Sequence, residues 1–363
     1  MRPVIDAHED IAWNVLSFGR DYTRSVAETR DREAGSETSR HVGPALLGYP
    51  EWARGGVAVV FATLHVTPAR RTSGTWETQT YADQDEAHRK LRAQVDVYSR
   101  MFDEHPDQFR PVRTRADLRQ VLAGWQGDKP EAPQVGLVLL MEGADAIRQP
   151  EELPEWYDLG VRMVGPAWAG TRYCGGTREP GPLTPDGRRL LEQMAGLGMT
   201  LDLSHMSDEG VLEALDRYPG VLMASHSNAR ALLAGSPIPE RHLSDLAIRR
   251  IAEREGIIGA VPYNRFLKGG WTPEDGREAV PLANLIQHID YVCQLVGDAA
   301  HSGIGSDFDG GFGLNMLPMG LDSIADLRLI GDALAASGYS QTDVDAILGG
   351  NWLRLLGQAL PES

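Results

Sequence analysis

Eight short apolar runs, each about the length of one β-strand, punctuate the chain and limit what it can fold into. They are Val4 to Asp10, Gly56 to Leu64, Val135 to Glu142, Val161 to Ala167, Met199 to His205, Gly220 to His226, Gly256 to Tyr263 and Ser302 to Asp307. Runs of this kind suit strands buried on both faces in a parallel sheet. Helical patterns separate most of them. Thr184-Pro185 supplies a cap and a first-turn proline, Ser207 a second cap, and Ala87, Leu91, Val95, Tyr98 and Phe102 an apolar stripe at helical spacing. Repeated βα units closing into a (β/α)8 TIM barrel are the simplest reading, with an open doubly wound sheet as the alternative.

Barrels with insertions reach 363 residues, and no Pro/Gly/Ser linker or internal repeat divides this chain, so one domain over 1–363 is expected. Its inserted loops fall near 17–50 and 68–80. The polar stretch from Gly19 to Arg40 has no period and reads as a long loop over the bowl, with Pro68 to Trp76 as a second. A formal net charge of -16, from 51 Asp and Glu against 35 Lys and Arg, disfavours nucleic acid and anionic lipid as partners. Cys174 and Cys293 are too few for a disulfide framework. With no charged-then-apolar leader and no apolar stretch near ~20 residues, the expectation is a cytoplasmic chain with no membrane partner.

Six acid or imidazole side chains stand at the carboxyl ends of these runs: His8 and Asp10, Glu142, His205, His226 and Asp307. Strand alternation makes His8 and Asp10 project together. Each alone has a plain explanation, as a chance His-x-Asp, a helix-capping acid, a buried histidine bonded to backbone, or an Asp in a Gly-rich turn. Position argues otherwise, because a barrel gathers the carboxyl ends of all its strands around one bowl. His41, His88, His105, His242 and His288 fall in loops or helices and read as structural. His65 follows the second run closely and is borderline, while His301 precedes the eighth run, on the opposite face.

Imidazole nitrogen and carboxylate oxygen suit zinc, with manganese, cobalt or iron as other occupants. Three His and two carboxylates exceed one open catalytic zinc but suit two Zn2+ ions sharing a carboxylate. Glu142, from the third strand, is the natural bridge. Asp307, on the last strand beside the first, can take the proton of a water held between the ions and pass it to a leaving group.

The segments carrying these residues resemble the membrane dipeptidase family, the renal dipeptidase type of metallopeptidase within the amidohydrolase barrel superfamily. They are Asp6-Ala7-His8-Glu9-Asp10, Gly55-Gly56-Val57, Met141-Glu142-Gly143, Leu183 to Gly187, Asp202 to Ser207, Ser225 to Asn228, Gly303 to Gly310 and Gly349-Gly350-Asn351, in the family's order over nearly the whole chain. The resemblance implies a first zinc on His8 and Asp10, a second on His205 and His226, Glu142 between them, and Asp307 as acid/base. It also implies a homodimer that attacks the peptide bond of a small-molecule dipeptide with water, often tolerating a D residue at the carboxyl side.

Two departures bear on substrate. The family keeps a His after the fourth strand, where this chain has Trp168, and an Arg about eleven residues past the last zinc histidine, which here falls near Pro237. The Arg grips the dipeptide carboxylate, so its loss should weaken selection for free dipeptides. Candidate substrate contacts are therefore Trp168, Arg172, Tyr263 and Arg230, with Arg241 a further cation as readily read as a surface charge. Hydrolysis of a small amide or dipeptide is the leading expectation; a lactone or other cyclic or capped amide or ester, and a non-catalytic binding relative, are the alternatives.

Overall fold

The computed structural model describes residues 3–126 and 133–363. All eight apolar runs form parallel strands: β1 Val4–Glu9, β2 Val57–His65, β3 Val135–Glu142, β4 Val161–Gly165, β5 Thr200–Asp202, β6 Leu222–Ala224, β7 Ile257–Ala260 and β8 Ser302–Ile304. They neighbour one another in chain order, and a further short strand, Phe109–Pro111, pairs with the start of β3. β8 returns to β1 through a parallel bridge between Glu9 and Phe308 and through the Asp307 amide, which donates to the His8 carbonyl at 3.0 Å. The result is a nearly closed (β/α)8 barrel. Apolar side chains on both faces of the strands are fully buried, so their interior is packed core and only the carboxyl-end rim is free for chemistry.

Helices cover the outside as the patterns predict. Gln84–Glu104 buries Ala87, Leu91, Val95 and Tyr98 and packs against β2 and the helix Ile11–Phe18, and Pro185–Leu197 starts at Thr184, whose hydroxyl accepts from the Gly187 amide. Ser207 stands at the N-cap of Asp208–Arg217 but makes no cap bond; its hydroxyl is spent on the Gly181 backbone instead.

The segment expected as a long loop is largely helical, with Val26–Glu33, Glu37–Val42 and Tyr49–Gly55. Its order comes from caps and buried charge, which leave no apolar period to read. Ser25 and Glu28 form a capping box, and Ser36 caps the next helix. Arg20, buried, reaches Glu33 at 2.9 Å and Asp309 at 3.1 Å, latching the insertion to the loop after β8. In the second insertion, Thr67–Pro68 and Thr80–Tyr81 pair as a two-residue parallel ladder. Among the described residues no helix is long and apolar enough to cross a membrane.

Candidate metal centre

At the carboxyl rim, β1 and β3 place His8 and Glu142 within their ladders, while the other ligand candidates lie past the ends of theirs. His205 comes three residues after Asp202, His226 two after Ala224, and Asp307 three after Ile304. The apolar pattern overran these strand ends because His205 and Asp307 adopt left-handed backbone, with φ of 66° and 57°, which breaks a ladder regardless of side-chain type.

The six residues nevertheless converge. Glu142 Oε1 lies 3.1 Å from His205 Nε2, 3.2 Å from His226 Nε2 and 3.6 Å from His8 Nε2. Asp10 stands 4.0 Å from His8 Nε2. Three overlapping groups, His8 with Asp10 and Glu142, Glu142 with His205 and His226, and His8 with His226 and Asp307, each bring their ligand atoms within 4.8 Å.

Hydrogen bonds on the far side of the rings aim them inward. Ser225 Oγ donates its one proton to Asp202 at 2.5 Å, so toward His226 Nδ1, 2.8 Å away, it accepts. That leaves a lone pair on His226 Nε2, pointing at Glu142. His205 Nδ1 pairs with Thr177 Oγ1 at 2.9 Å. Burial first, then the Arg241 charge, lowers both rings to a pKa of about 3, and burial also holds His8 well below the usual range, so all three are neutral imidazoles.

This donor set fits a cation. The His205 and His226 Nε2 atoms are 3.0 Å apart and share the Glu142 oxygen, while His8 Nε2 and Asp10 Oδ1 are buried without a hydrogen-bond partner. Burial first and the neighbouring Glu142 second push the Asp10 carboxyl up to about 8. Burial, Asp10 and Glu142 raise Asp307 well above its ordinary value. Crowded acids and unprotonated imidazoles of this kind are what divalent ions neutralise.

A cavity of about 340 Å³ opens above the cluster. Trp168 and Tyr263 line it, as expected of substrate contacts. Arg172 and Arg230 do not. Arg172 points away into an ion pair with Asp186 and a bond to the Arg148 carbonyl, and Arg230 is paired with Asp208, so both guanidiniums are already spent on acids outside the bowl.

Three arginines line the cavity, Arg71, Arg178 and Arg241, and Arg241, only 2% exposed, is close enough to Asp307 and Glu142 for their charges to act on it. It comes 15 residues after His226, four past Pro237, where the family spacing of about eleven falls. Its Nη2 donates to the His226 carbonyl at 2.8 Å and its Nη1 to Ser227 Oγ at 3.2 Å, while Nε is buried and unpartnered.

An imidazole is present beside Trp168 after all. It is His65, the last residue of β2, whose ring centre is 5.1 Å from the indole and whose Nδ1 is 3.1 Å from Glu142 Oε2. The ladder pairs His65 directly with Glu142, so this borderline residue of the sequence reading ends its strand at the rim, beside the candidate ligands. His41, read as structural, also lines the cavity and stacks on Trp76 at 4.8 Å.

Known proteins resemble this chain in sequence and in fold. The sequence profile described as Membrane dipeptidase (Peptidase family M19) matches residues 1–361. The Uncharacterized protein in pqqA 5'region of Klebsiella pneumoniae is 35% identical over 234 residues, covering 61% of this chain and 81% of that protein. Dipeptidase aclJ of Aspergillus oryzae (strain ATCC 42149 / RIB 40) is 26% identical over 362 residues, 98% of this chain and 78% of that one. A metallo peptidase from Rhodobacter sphaeroides, solved with a phosphinate mimic of the dipeptide L-Ala-D-Ala, superposes with a TM-score of 0.79 at 26% identity over 99% of both chains. The chain belongs to the membrane dipeptidase family and is a metal-dependent, dipeptidase-like hydrolase built on a (β/α)8 barrel.

Proposed function

We propose that the rim binds two divalent transition ions, zinc foremost, one on His8 and Asp10 and one on His205 and His226, with Glu142 shared. The observation that carries this reading is the single Glu142 carboxylate common to two ligand groups, His8 with Asp10 and His205 with His226. Such ions, when bound, supply positive charge that polarises a carbonyl and acidifies water.

The remaining work falls to this chain's own side chains. Asp307 can hold a proton, and it stands within reach of His8 and His226, where a general acid/base is needed. Arg241 still has unspent N–H donors and can take a substrate carboxylate, fixing the scissile bond relative to Asp307. Trp168 and Tyr263 wall the cavity and give it an apolar surface for a substrate side chain.

The substrate proposed is a dipeptide, or an acyl-amino compound of that size, with a free terminal carboxylate. Arg241 favours this over a lactone or capped amide, which offers that guanidinium no anion. The Rhodobacter enzyme's ligand, a mimic of L-Ala-D-Ala, supports acceptance of a D residue at the carboxyl side. A homodimer follows the family resemblance, and two free, buried cysteines accord with a reducing, cytoplasmic setting.

The test is kcat/KM for free dipeptides against their carboxyl-amidated analogues under equal metal loading. The free forms should be preferred by at least tenfold, and Arg241→Lys should erase most of that preference, since an ammonium cannot reproduce a bidentate fork. Equal rates on both sets, or a preference that survives in Arg241→Lys, would remove Arg241 from substrate recognition.

A further inference from the structure

We infer that Trp13, His41 and Trp76 form a subsite for an aromatic side chain on the amino-side residue of the substrate, which rests on the dipeptide reading above and names a class within it.

Barrel order sets the two ends of the cavity apart. Arg241 follows β6 and Trp76 follows β2, and these strands stand four places apart in a ring of eight, across the bowl from each other. A substrate with its carboxylate on Arg241 and its scissile bond over the ligand cluster therefore extends its amino-side residue toward the segments after β1 and β2. Those segments are the helix Ile11–Phe18 and the two insertions, and they bring Trp13, His41 and Trp76 to the cavity.

The three side chains make one wall. His41 stacks on Trp76 with ring centres 4.8 Å apart and planes 11° apart, and Trp13 meets the same indole edge-on at 6.4 Å. Phe18 backs both indoles, at 5.5 Å from Trp13 and 5.9 Å from Trp76. The chain beneath them is fixed. Glu77, buried next to Trp76, accepts from the Ser73 amide at 2.7 Å and from the Thr67 and Thr72 hydroxyls, while Lys90 donates to the Thr78 and Thr80 carbonyls at 2.7 and 2.6 Å. Gly43, two residues past His41, lies so close to Gly313 that an added Cβ would come within 3.0 Å of its backbone. A wall held in place before binding spends little of the contact energy on ordering itself.

The chemistry of the wall favours a neutral ring. Offset and edge-on aromatic contacts add to the gain from buried apolar area, whereas an aliphatic side chain has the area alone. A cationic side chain is disfavoured, because Glu77 has both carboxylate oxygens engaged and the same loop carries Arg71 to the cavity.

The experiment compares kcat/KM of the zinc-saturated, full-length protein on L-Ala-D-Ala, L-Leu-D-Ala, L-Phe-D-Ala and L-Ala-D-Phe. L-Phe-D-Ala should exceed L-Ala-D-Ala by about 10–100-fold, with L-Leu-D-Ala between them. Trp76→Ala should remove about tenfold of that preference, through KM rather than kcat, because an apolar contact remote from the scissile bond is the same in ground and transition states. Trp76→Phe, which keeps a ring, should restore most of it. A parent preference below about threefold, or L-Leu-D-Ala cleaved as well as L-Phe-D-Ala, overturns the aromatic class and leaves the dipeptide reading standing. A preference that survives in Trp76→Ala, or an equal loss on L-Ala-D-Phe, overturns the placement of the amino-side residue at this wall. Turnover of none of the four removes the dipeptide reading and this inference with it. Should Trp76→Ala fail to fold, Trp76→Gln decides, because an undiminished preference there contradicts the wall.

Discussion

The two halves of the barrel deliver their functional groups by different means. β1, β2 and β3 are six, nine and eight residues long, and His8, His65 and Glu142 sit inside them, held by the ladder. β5, β6 and β8 have three residues each, and His205, His226 and Asp307 lie beyond them on loops. Buried carboxylates replace the missing ladder there. Asp202 accepts from the Ser204 and Ser225 amides at 3.0 and 2.8 Å, and Asp6 from the Ser306 amide at 2.6 Å. Ser204 Oγ in turn accepts from the His226 amide at 3.1 Å. Where backbone pairing ends, charge-assisted side-chain bonds take over the positioning.

The strongest test of this contrast is at Asp307, on the loop side. Asn tolerates left-handed backbone, so Asp307→Asn should keep the loop and the metals yet lose the proton carrier, lowering kcat by about 10²–10⁴-fold. Turnover equal to the parent's on any hydrolysed substrate would remove Asp307 from the chemistry.

Next in size is Asp202→Ala against Val138→Ala, a truncation inside the β3 ladder. Stranding the Ser204 and Ser225 amides costs about 1–3 kcal/mol each, so Asp202→Ala should lower stability by roughly 2–6 kcal/mol and weaken metal binding at His205 and His226. Val138→Ala leaves a cavity worth about 1–3 kcal/mol and should leave metal affinity alone. The comparison breaks if the two variants, at matched destabilisation, bind metal equally.

The smallest effect concerns acid. His288, on the helix Ala283–Val296 that packs against β7 and β8, is lowered by burial to a pKa of about 4. The unfolded chain, with an ordinary imidazole, binds this proton more readily, so stability is full above about pH 6.5 and lost as pH falls toward 4. The loss reaches at most about 3 kcal/mol at pH 4. His288→Leu should flatten that part of the denaturation profile, and an unchanged slope would show that other groups set it.

The barrel was legible because each strand announces itself as an apolar run, and the convergence of the candidate ligands because a barrel collects strand ends. What escaped lay in three-dimensional bookkeeping. Arg241 read as a surface charge because its place at the cavity is set by its hydrogen bonds to His226 and Ser227, which residue count does not show. Arg172 and Arg230 read as free cations because their partners Asp186 and Asp208 are acids that sequence gives no reason to pair with them. The helices between Val26 and Gly55 had no apolar stripe because their order derives from caps and from Arg20, Glu33 and Asp309.

Both halves meet at Glu142, and counting ions there tests the account most directly. Purified protein saturated with zinc, desalted and analysed by mass spectrometry for metal per chain, should hold two ions, and Glu142→Ala should hold neither tightly. One ion per chain in the parent, or two retained in Glu142→Ala, would contradict the shared carboxylate on which the proposed site depends.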